Sequence, residues 1–365
     1  MIFTRRFFVS SLAGAGAYVL GAEKEQVFPS EIKRYTDAAT EFRIFRLTDP
    51  AHQSWLAAPY GRSVSRHNDF LIHASDRSGS MQAYRMDLKS GQSHLLSETD
   101  GLMPESLTLV PGEREFCYLA GRSLYLAKLN TVHARVIYGA AEGFQLASGF
   151  SVSEDGLYAT LVERNDAGSR LRLIQMRTGA GTTLAESPDA ISDPQPRPKR
   201  AGVLYRRGDA LWLVNYDGAQ NRKLRTAPGK PGTAVWSADG RTVLYLNLPA
   251  DPKLLHSIRE FTPDTNEDRQ VSDTTQYAAF NRNADASVFV GASGSKASPY
   301  ILLLVRSVKR ELALCEHRAS DPSKIVLLFS PNSQRVFYQS DGDGKMAIYA
   351  IAVDRLVSET ETDTP

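Results

Sequence analysis

The sequence predicts an all-β fold, a seven-bladed β-propeller closed by the N-terminal strand. Three observations predict it. A short strand-like run recurs along the chain, and each copy follows a polar turn of similar composition. The last copy is one strand short, while an extra strand-like segment stands near the start of the chain. A self-similar unit of this length that fills a whole chain is typical of repeat architectures.

The repeat is built around apolar runs spaced by about 40 to 48 residues, the length of a four-stranded propeller blade. A polar turn precedes each run, clearest at 235–241 and 329–335, where a small polar residue comes just before Asp-Gly or a substitute. Such residues form tight hairpins, so each turn predicts the corner between the first and second strands of a blade. The runs lie at 70–72, 116–118, 157–159, 203–205, 243–245, 288–290 and 336–338.

A third strand and a short outer strand follow the runs, as at 83–88 and 211–214. The seventh unit begins near Asp321 and has only three strands before the polar tail at 358–365. Residues 41–47 can supply its fourth strand, which would close the ring and leave no open sheet edge. No linker or change of composition interrupts residues 23–357, so we expect a single propeller domain.

The first 22 residues differ from the rest, because Arg5 and Arg6 precede a weakly apolar run rich in Ala and Gly. This pattern predicts a twin-arginine-type signal peptide, with Ala22 offering a cleavage point. The run is shorter than the roughly 20 residues of a membrane span. We therefore expect a periplasmic or secreted protein without a membrane span in the mature chain. A disordered basic N-terminus is the alternative.

The overall charge argues against nucleic acid as a partner. Forty-three basic and 41 acidic side chains leave a net charge of +2, which gives no general attraction to nucleic acid or to an anionic membrane. An acidic ligand would need locally placed cations. Cys117 and Cys315 fall in the second and sixth repeats, which are not neighbours in a closed ring, so we predict two buried thiols and no disulfide.

Signatures of common enzyme classes do not occur in the sequence. The seven histidines show no metal-ligand spacing such as His-x-x-x-His and are expected to have structural or surface roles. There is no nucleophile elbow and no phosphate-binding loop. Residues 341–344, Asp-Gly-Asp-Gly, are too few for an EF-hand loop and are interpreted as a hairpin turn.

Several strings, taken in order, resemble the oligogalacturonate lyases, polysaccharide lyase family 22. The most informative are Ala-Ser-Asp-Arg-Ser-Gly at 74–79 and the segment 82–91 that follows it. Each string is weak alone, but together they follow the family's order over nearly all of the mature chain. The repeat itself has no Gly-His or Trp-Asp pair of the WD40 type and is similar to that of TolB propellers. The other strings lie at 42–50, 116–118, 289–291, 313–317 and 329–331.

The resemblance implies β-elimination of short galacturonate oligosaccharides during pectin breakdown. In that reaction a base removes the proton next to the uronate carboxylate, while a cation and an arginine offset the charge that develops there. The family holds a manganese-type ion with three histidines and a glutamine. A further histidine and an arginine complete its site.

These family residues are replaced at the matching positions of this sequence. Alanine and valine offer a metal no lone pair, and a lysine would repel it. The glutamine falls near Asp321. We therefore expect no metal cofactor and no catalytic pair of the family type. The positions of the three histidine ligands are occupied by Ala279, Lys324 and Val326, and those of the catalytic arginine and histidine by Ala210 and Thr233.

Three basic residues near the expected axis remain as candidates for substrate binding: Arg62, Arg207 and Lys324. A lysine in place of a metal can neutralise a carboxylate without a cofactor. The alternative is three solvated surface charges. Two functions stay open: a non-catalytic propeller that binds acidic oligosaccharides or a partner protein, and an active lyase that uses substitutes such as Arg207 and Lys324. A TolB-like scaffold in an envelope complex is a third, without specific support.

Overall fold

The computed structural model describes residues 26–358, which are β-sheet almost throughout. The predicted signal segment 1–22 and all but the first residue of the predicted tail lie outside the described residues. Two short 3₁₀ helices, Pro104–Ser106 and Pro322–Lys324, and one α-helix, Asp354–Ser358, accompany the strands. The strands of the first half are β1 (Val27–Phe28), β2 (Lys33–Thr36), β3 (Arg43–Arg46), β4 (Ser54–Trp55), β5 (Phe70–Ser75), β6 (Gln82–Asp87), β7 (Ser93–Leu95), β8 (Thr108–Leu109), β9 (Glu115–Ala120), β10 (Ser123–Lys128), β11 (Ala134–Gly139), β12 (Gln145–Val152), β13 (Tyr158–Asn165), β14 (Gly168–Gln175) and β15 (Gly181–Ser187).

The second half repeats the pattern. Its strands are β16 (Ile191–Pro196), β17 (Gly202–Arg207), β18 (Ala210–Asn215), β19 (Arg222–Lys223), β20 (Lys230–Trp236), β21 (Val243–Leu248), β22 (Ser257–Thr262), β23 (Glu267–Asp273), β24 (Tyr277–Arg282), β25 (Val288–Ser293), β26 (Tyr300–Val305), β27 (Arg310–Glu316), β28 (Leu327–Phe329), β29 (Arg335–Ser340) and β30 (Ala347–Ala352).

These strands form seven antiparallel sheets, one for each predicted blade. Blades 1 to 6 each take four consecutive strands, from β4–β7 to β24–β27, and blade 7 is built on β28–β30. The first strands of neighbouring blades lie next to each other, as β12 does to β16 and β24 to β28. The predicted seven-bladed propeller is confirmed.

The N-terminal segment closes the ring, as predicted. β3 pairs with β30, with Ile44 opposite Ile351, so the first part of the chain completes the last blade. Two strands at the ring junction were not predicted: β2 adds a fifth strand to blade 7, and β1 adds one to the outer edge of blade 1. β1 has only two residues, and β2 begins with Lys33 and Arg34, so neither gives an apolar pattern long enough to indicate a strand.

The corner turns use the polar residues that predicted them. In blade 5 the Ser237 hydroxyl donates to Asp239 Oδ1 (2.7 Å) and accepts from the amide of Thr242 (3.0 Å). Ser153 and Asp155 make the same pair of contacts in blade 3. A side chain that satisfies backbone groups inside the turn lets the chain reverse at once, which fixes where the second strand starts.

The two cysteines are buried and unpaired, as predicted. Cys117 lies on β9 of blade 2 and Cys315 on β27 of blade 6. Cys315 donates weakly to the hydroxyl of Tyr338 at 3.4 Å. Both thiols therefore serve as small core side chains in separate blades.

Packing within blade 6 leaves no room beside Gly291 on β25. A Cβ at this position would lie 2.1 Å from Cε2 and 2.2 Å from Cδ2 of Tyr277, whose ring is fully buried. Real side chains do not approach so closely, and a close-packed core cannot move the ring without cost. The glycine is required by this contact.

We expect Gly291→Ala to lower the free energy of unfolding by about 3 kcal/mol, the upper range for overpacking a core. Chemical denaturation of the variant and the wild type measures this difference. Gly139→Ala is the matched control, because a Cβ at the end of β11 would meet nothing within 4 Å. Equal stability of the two variants would contradict the close contact.

Blade 1 departs from the other blades near the axis. Its inner strand β4 stops after Trp55, and residues 57–62 cross the axial channel before a single bridge at Val64 resumes the pairing. Pro59 removes a backbone donor and Gly61 brings the backbone close to its neighbours, which explains the break. We call residues 57–62 the axial plug.

The axial plug is held from several sides. Its Ala58 amide donates to the Glu105 carbonyl of the loop that leads into blade 2 (3.0 Å). On the far side, Asn281 of blade 6 donates to the Pro59 carbonyl (3.0 Å). The Tyr60 hydroxyl reaches Asp193 of blade 4 at 3.4 Å. The plug is thereby fixed across the channel and divides it into two parts.

Candidate functional site

The axial plug separates two cavities, and Pro59 and Tyr60 line both. The upper cavity has a volume of about 730 Å³ and is lined by the starts of the inner strands. The lower cavity has a volume of about 370 Å³ and lies among the corner turns. The upper cavity has the size of typical small-ligand sites in proteins.

Four of the five substituted family positions meet in the upper cavity. They come from blades 5, 6 and 7, and each lies on the inner strand of its blade or just before it. The prediction that these positions share one site therefore has a structural basis. They are Thr233, Ala279, Lys324 and Val326.

The fifth position, Ala210, lies elsewhere. It pairs with Arg207 where β17 turns into β18, and it lines neither cavity. An arginine nevertheless lines the upper cavity, and it is Arg206 on β17. The sequence analysis named the next residue, Arg207, as the candidate instead. Successive side chains of a strand point to opposite faces, so Arg206 and Arg207 cannot share a face.

Arg206 is fixed in place by three hydrogen bonds. Its Nε donates to Asp193 Oδ2 (3.2 Å), and its two terminal nitrogens donate to the carbonyls of Pro231 (2.7 Å) and Gly232. A guanidinium has five N–H donors, so two remain for a ligand. The side chain is only 16% exposed, which strengthens any charge interaction it makes in the cavity.

Tyr60 lies between the two cavities and donates to Asp193 Oδ1. Burial, and then the carboxylates of Asp193 and Glu105, raise the pKa of its hydroxyl well above the ordinary value. The phenol therefore stays protonated at neutral pH. It can donate a hydrogen bond but cannot take up a proton from a ligand.

Lys324 ends a 3₁₀ helix that Asp321 caps by accepting from the Ser323 amide (3.0 Å). The Lys324 carbonyl accepts from the side-chain amide of Gln339 (2.9 Å). The side-chain oxygen of Gln339 in turn accepts from the Leu56 amide of blade 1 (2.9 Å). Gln339 thus fixes the backbone at Lys324 against blade 1. The ammonium itself is free to move, because the side chain is 68% exposed and meets only Asp321 at 3.7 Å.

The other two predicted candidates lie away from Lys324. Arg62 belongs to the axial plug and lines the lower cavity. Arg207 lines neither cavity: it pairs with Asp189 (3.3 Å) and stacks over the Trp212 ring. The structure therefore does not bring the three candidates together, and Arg206 is the basic residue that shares a cavity with Lys324.

The donor set of the upper cavity does not resemble a metal site. Across residues 26–358, no group of three or more His, Cys, Asp or Glu side chains is placed to hold a metal ion. His317 donates from Nε2 to the Ser293 carbonyl (2.9 Å) while its Nδ1 accepts from Ala319 (3.0 Å). His256 bonds the Tyr277 carbonyl through Nδ1 (2.7 Å). Both rings thus hold the backbone, the structural role predicted for the histidines.

Comparison with known proteins places the fold and this cavity in context. No protein-family model matches the chain. The oligogalacturonide lyase of Pectobacterium atrosepticum is 23% identical over 385 aligned residues, covering 90% of this chain and 98% of that protein. The oligogalacturonate lyase of Dickeya dadantii is 22% identical over 378 aligned residues, covering 87% and 95%. The chain is thus similar to oligogalacturonate lyases over about nine tenths of its length.

Solved structures of oligogalacturonate lyases share the whole fold. One, in complex with manganese, matches with a TM-score of 0.84 at 22% identity and covers 90% of this chain and 98% of its own. The Vibrio parahaemolyticus protein matches with a TM-score of 0.82 at 23% identity, with the same coverage. The resemblance predicted from ordered strings is confirmed, and the propeller is that of oligogalacturonate lyases from end to end.

Proposed function

We propose that the protein binds short acidic oligosaccharides of the oligogalacturonate type in its upper cavity and does not cleave them. The observation that carries this proposal is that Lys324 and Arg206 line one cavity of suitable volume, together with the positions that matched the lyases' metal and base residues. Oligogalacturonates carry one carboxylate on each sugar unit. Two cationic side chains in one cavity would select for that charge.

The two cations differ in mobility, which suits recognition of a carboxylate. Arg206 is held by three hydrogen bonds and offers two remaining N–H groups in a fixed orientation. Lys324 pairs with Asp321 at the surface, and exposed pairs of this kind contribute little stability. Its ammonium can therefore turn from Asp321 to an incoming carboxylate at small cost.

The residues present do not fit manganese. Ala279 and Val326 carry no donor atom, and Lys324 is itself a cation at a matched ligand position. A lysine ammonium supplies positive charge to a uronate carboxylate without a metal. We therefore propose that the protein works without the metal that its relatives' structure contains.

Elimination also needs a base beside the reacting carbon, and neither Thr233 nor Tyr60 supplies one. Thr233 stands at the position of the lyases' histidine, and a threonine hydroxyl is not a base at neutral pH. Tyr60 holds its proton, because burial and neighbouring carboxylates raise its pKa. Of the two carboxylates that line the cavity, Glu105 and Asp193, the second already accepts hydrogen bonds from Tyr60 and Arg206. A bound uronate would therefore meet no base at the position of the lyases' histidine.

A second candidate, an active oligogalacturonide lyase using substitute residues, is favoured by one observation. Arg206 provides the cavity with a guanidinium, as the lyase reaction requires. Formation of an unsaturated product from digalacturonate, followed by ultraviolet absorbance, distinguishes this candidate from simple binding.

We expect Lys324→Met to weaken digalacturonate binding by roughly tenfold or more, because a charge-assisted hydrogen bond contributes about 1.5 to 3 kcal/mol. Arg206→Lys should also weaken digalacturonate binding, because a lysine lacks the paired N–H donors that a guanidinium offers to a carboxylate. Isothermal titration calorimetry measures both effects. Lys223→Met is the matched control, since Lys223 is exposed on the outer strand of blade 4. Unchanged affinity in Lys324→Met would contradict the proposed site.

The N-terminal twin-arginine pattern supports a periplasmic or secreted location, where acidic oligosaccharides would be met before uptake. Within residues 26–358 no helix has the length and apolar character needed to cross a lipid bilayer. The near-neutral charge balance supports no role in nucleic-acid binding.

A further inference from the structure

The lower cavity lies on the other side of the axial plug from the proposed oligosaccharide site. It is bounded by corner turns of several blades and by the plug itself. Two arginines from different parts of the ring line it: Arg62 of the plug and Arg282 at the end of β24 in blade 6. Neither belongs to the upper cavity.

Arg62 is half-buried among backbone groups and forms no ion pair with the residues that the structure describes. Its terminal nitrogens donate to the carbonyls of Ser153 (3.0 Å) and Glu154 (3.4 Å) of the blade 3 corner. No described carboxylate lies within 4.0 Å of it, and burial lowers its pKa. Three of its five N–H donors have no acceptor among the described residues.

Arg282 is held in the same manner from the opposite part of the ring. Its Nε donates to the Trp236 carbonyl (2.7 Å), and Nη1 donates to the carbonyls of Asn283 (2.8 Å) and Ala284 (3.0 Å). No described carboxylate pairs with it, and burial lowers its pKa. Both N–H groups of Nη2 lack a described acceptor.

Some other partly buried arginines of the same propeller pair with carboxylates. Arg197 pairs with Asp264 (3.0 Å) and Arg259 with Asp268 (2.8 Å). Glu154 lines the same cavity as Arg62 and Arg282, while Asp239 and Asp285 accept hydrogen bonds inside their own corner turns. Among the described residues, Arg62 and Arg282 are therefore positioned by carbonyls, and neither forms an ion pair with a carboxylate.

We propose that the lower cavity is a second ligand site, which binds a small oxyanion, a carboxylate or a phosphate group, between Arg62 and Arg282. Burying a guanidinium without a counter-ion is costly, and an oxyanion would supply the missing charge. The planar donors of arginine match carboxylate and phosphate oxygens in pairs. The carbonyls that hold each side chain keep its remaining N–H groups in place before the ligand arrives.

The rest of the lining limits the size and nature of the ligand. Trp236, Phe329 and Val235 contribute apolar surface, and the volume is about half that of the upper cavity. Such walls exclude water and strengthen charge interactions with the arginines. The site fits one anionic group on a small body and has no room for a chain of sugars.

The test is isothermal titration calorimetry of the full mature chain with inorganic phosphate in one arm and galacturonate in the other. We expect one of the two to bind, and Arg62→Met and Arg282→Met each to weaken that binding at least tenfold. Arg335→Met is the control, because Arg335 is exposed on the blade 7 corner and removes the same charge. Lys324→Met should leave this binding unchanged, which separates the lower site from the upper one.

Three results would overturn the proposal: binding of neither probe, binding that both arginine variants retain, or binding lost only in Lys324→Met. If a methionine variant fails to fold, Arg62→Lys and Arg282→Lys keep the positive charge and remove the paired N–H donors of the guanidinium. These variants should fold and still lose the rise in melting temperature that the bound anion gives the wild type. An unchanged rise in both lysine variants would also overturn the site.

Discussion

Deletion of residues 36–48 is expected to abolish the cooperative unfolding transition. The deletion removes β3, which leaves β30 as an open edge in the middle of blade 7. It also removes Ile44 and Leu47 from the core, which are 0% and 4% exposed. Their burial alone is worth roughly 3 to 6 kcal/mol, a large part of the stability of a typical domain.

The same segment also ties blade 7 to blade 6. The Thr40 hydroxyl donates to the Leu314 carbonyl (2.7 Å), and Asp37 accepts from the Glu316 amide (3.2 Å). Thr48 accepts from the Ile348 amide of β30 (2.9 Å). Without these contacts the ring would open at the point where the two chain ends meet.

Thermal unfolding followed by circular dichroism measures the effect of the deletion. Ile44→Ala is a milder test, expected to cost about 2 to 5 kcal/mol as a buried large-to-small change. Val27→Ala is the control, since Val27 is 45% exposed on the outer strand β1 and should cost under about 0.5 kcal/mol. A truncated chain that keeps one sharp transition near the wild-type temperature would contradict the closure.

Replacement of His73 by phenylalanine is expected to remove a large part of the acid sensitivity of the fold. His73 lies on β5, is fully buried and stacks against Tyr84 at 5.7 Å. Neither ring nitrogen has a hydrogen-bond partner among the described residues. Burial, and then the nearby Arg77 charge, lower its pKa from 6.5 to about 3.

Acid lowers the free energy of unfolding because only the unfolded chain can bind a proton at His73. Below about pH 6.5 the unfolded chain protonates this histidine while the folded chain leaves it neutral. The free energy of unfolding therefore falls as pH drops from 6.5 towards 3, by about 1.4 kcal/mol for each pH unit. Above pH 6.5 His73 is neutral in both states, so its effect on the free energy of unfolding no longer changes with pH.

Denaturation at pH 7 and at pH 4.5 measures this effect. The stability of His73→Phe relative to wild type should rise by about 3 kcal/mol over that interval. Phenylalanine keeps the aromatic contact with Tyr84, and the comparison cancels the carboxylates that both proteins share. His67→Phe, at an exposed corner position, controls for the loss of a histidine as such. Parallel pH profiles of wild type and His73→Phe would contradict a buried neutral ring.

Most of the fold could be predicted because its signals are local and repeated. Runs such as 243–245 recur in each blade, and corner residues like Ser237 and Asp239 recur in some of them, as Ser153 and Asp155 do in blade 3. The closing strand was predictable because Ile44 and Phe45 carry an apolar pattern that lacks a partner nearby. β1 and β2 escaped prediction since their pairing depends on the outer edges of blades already formed.

The site was only partly predictable. Thr233, Ala279, Lys324 and Val326 could be grouped because a resemblance supplied their positions, and all four line the upper cavity. The choice of Arg207 over Arg206 depended on which face of β17 looks towards the cavity, which the sequence does not state. The axial plug gave no repeat signal, because Pro59 and Gly61 interrupt the pattern of blade 1. The division into two cavities, and with it the lower pair of arginines, therefore needed the structure.

The most direct test of binding without cleavage is titration of the purified protein with digalacturonate, with and without manganese. Calorimetry measures binding, and ultraviolet absorbance measures the unsaturated product in parallel. We expect saturable binding that depends on Lys324, and no unsaturated product under either condition. Product formation would contradict a non-catalytic site, and a lack of any binding would contradict the upper cavity as an acidic oligosaccharide site.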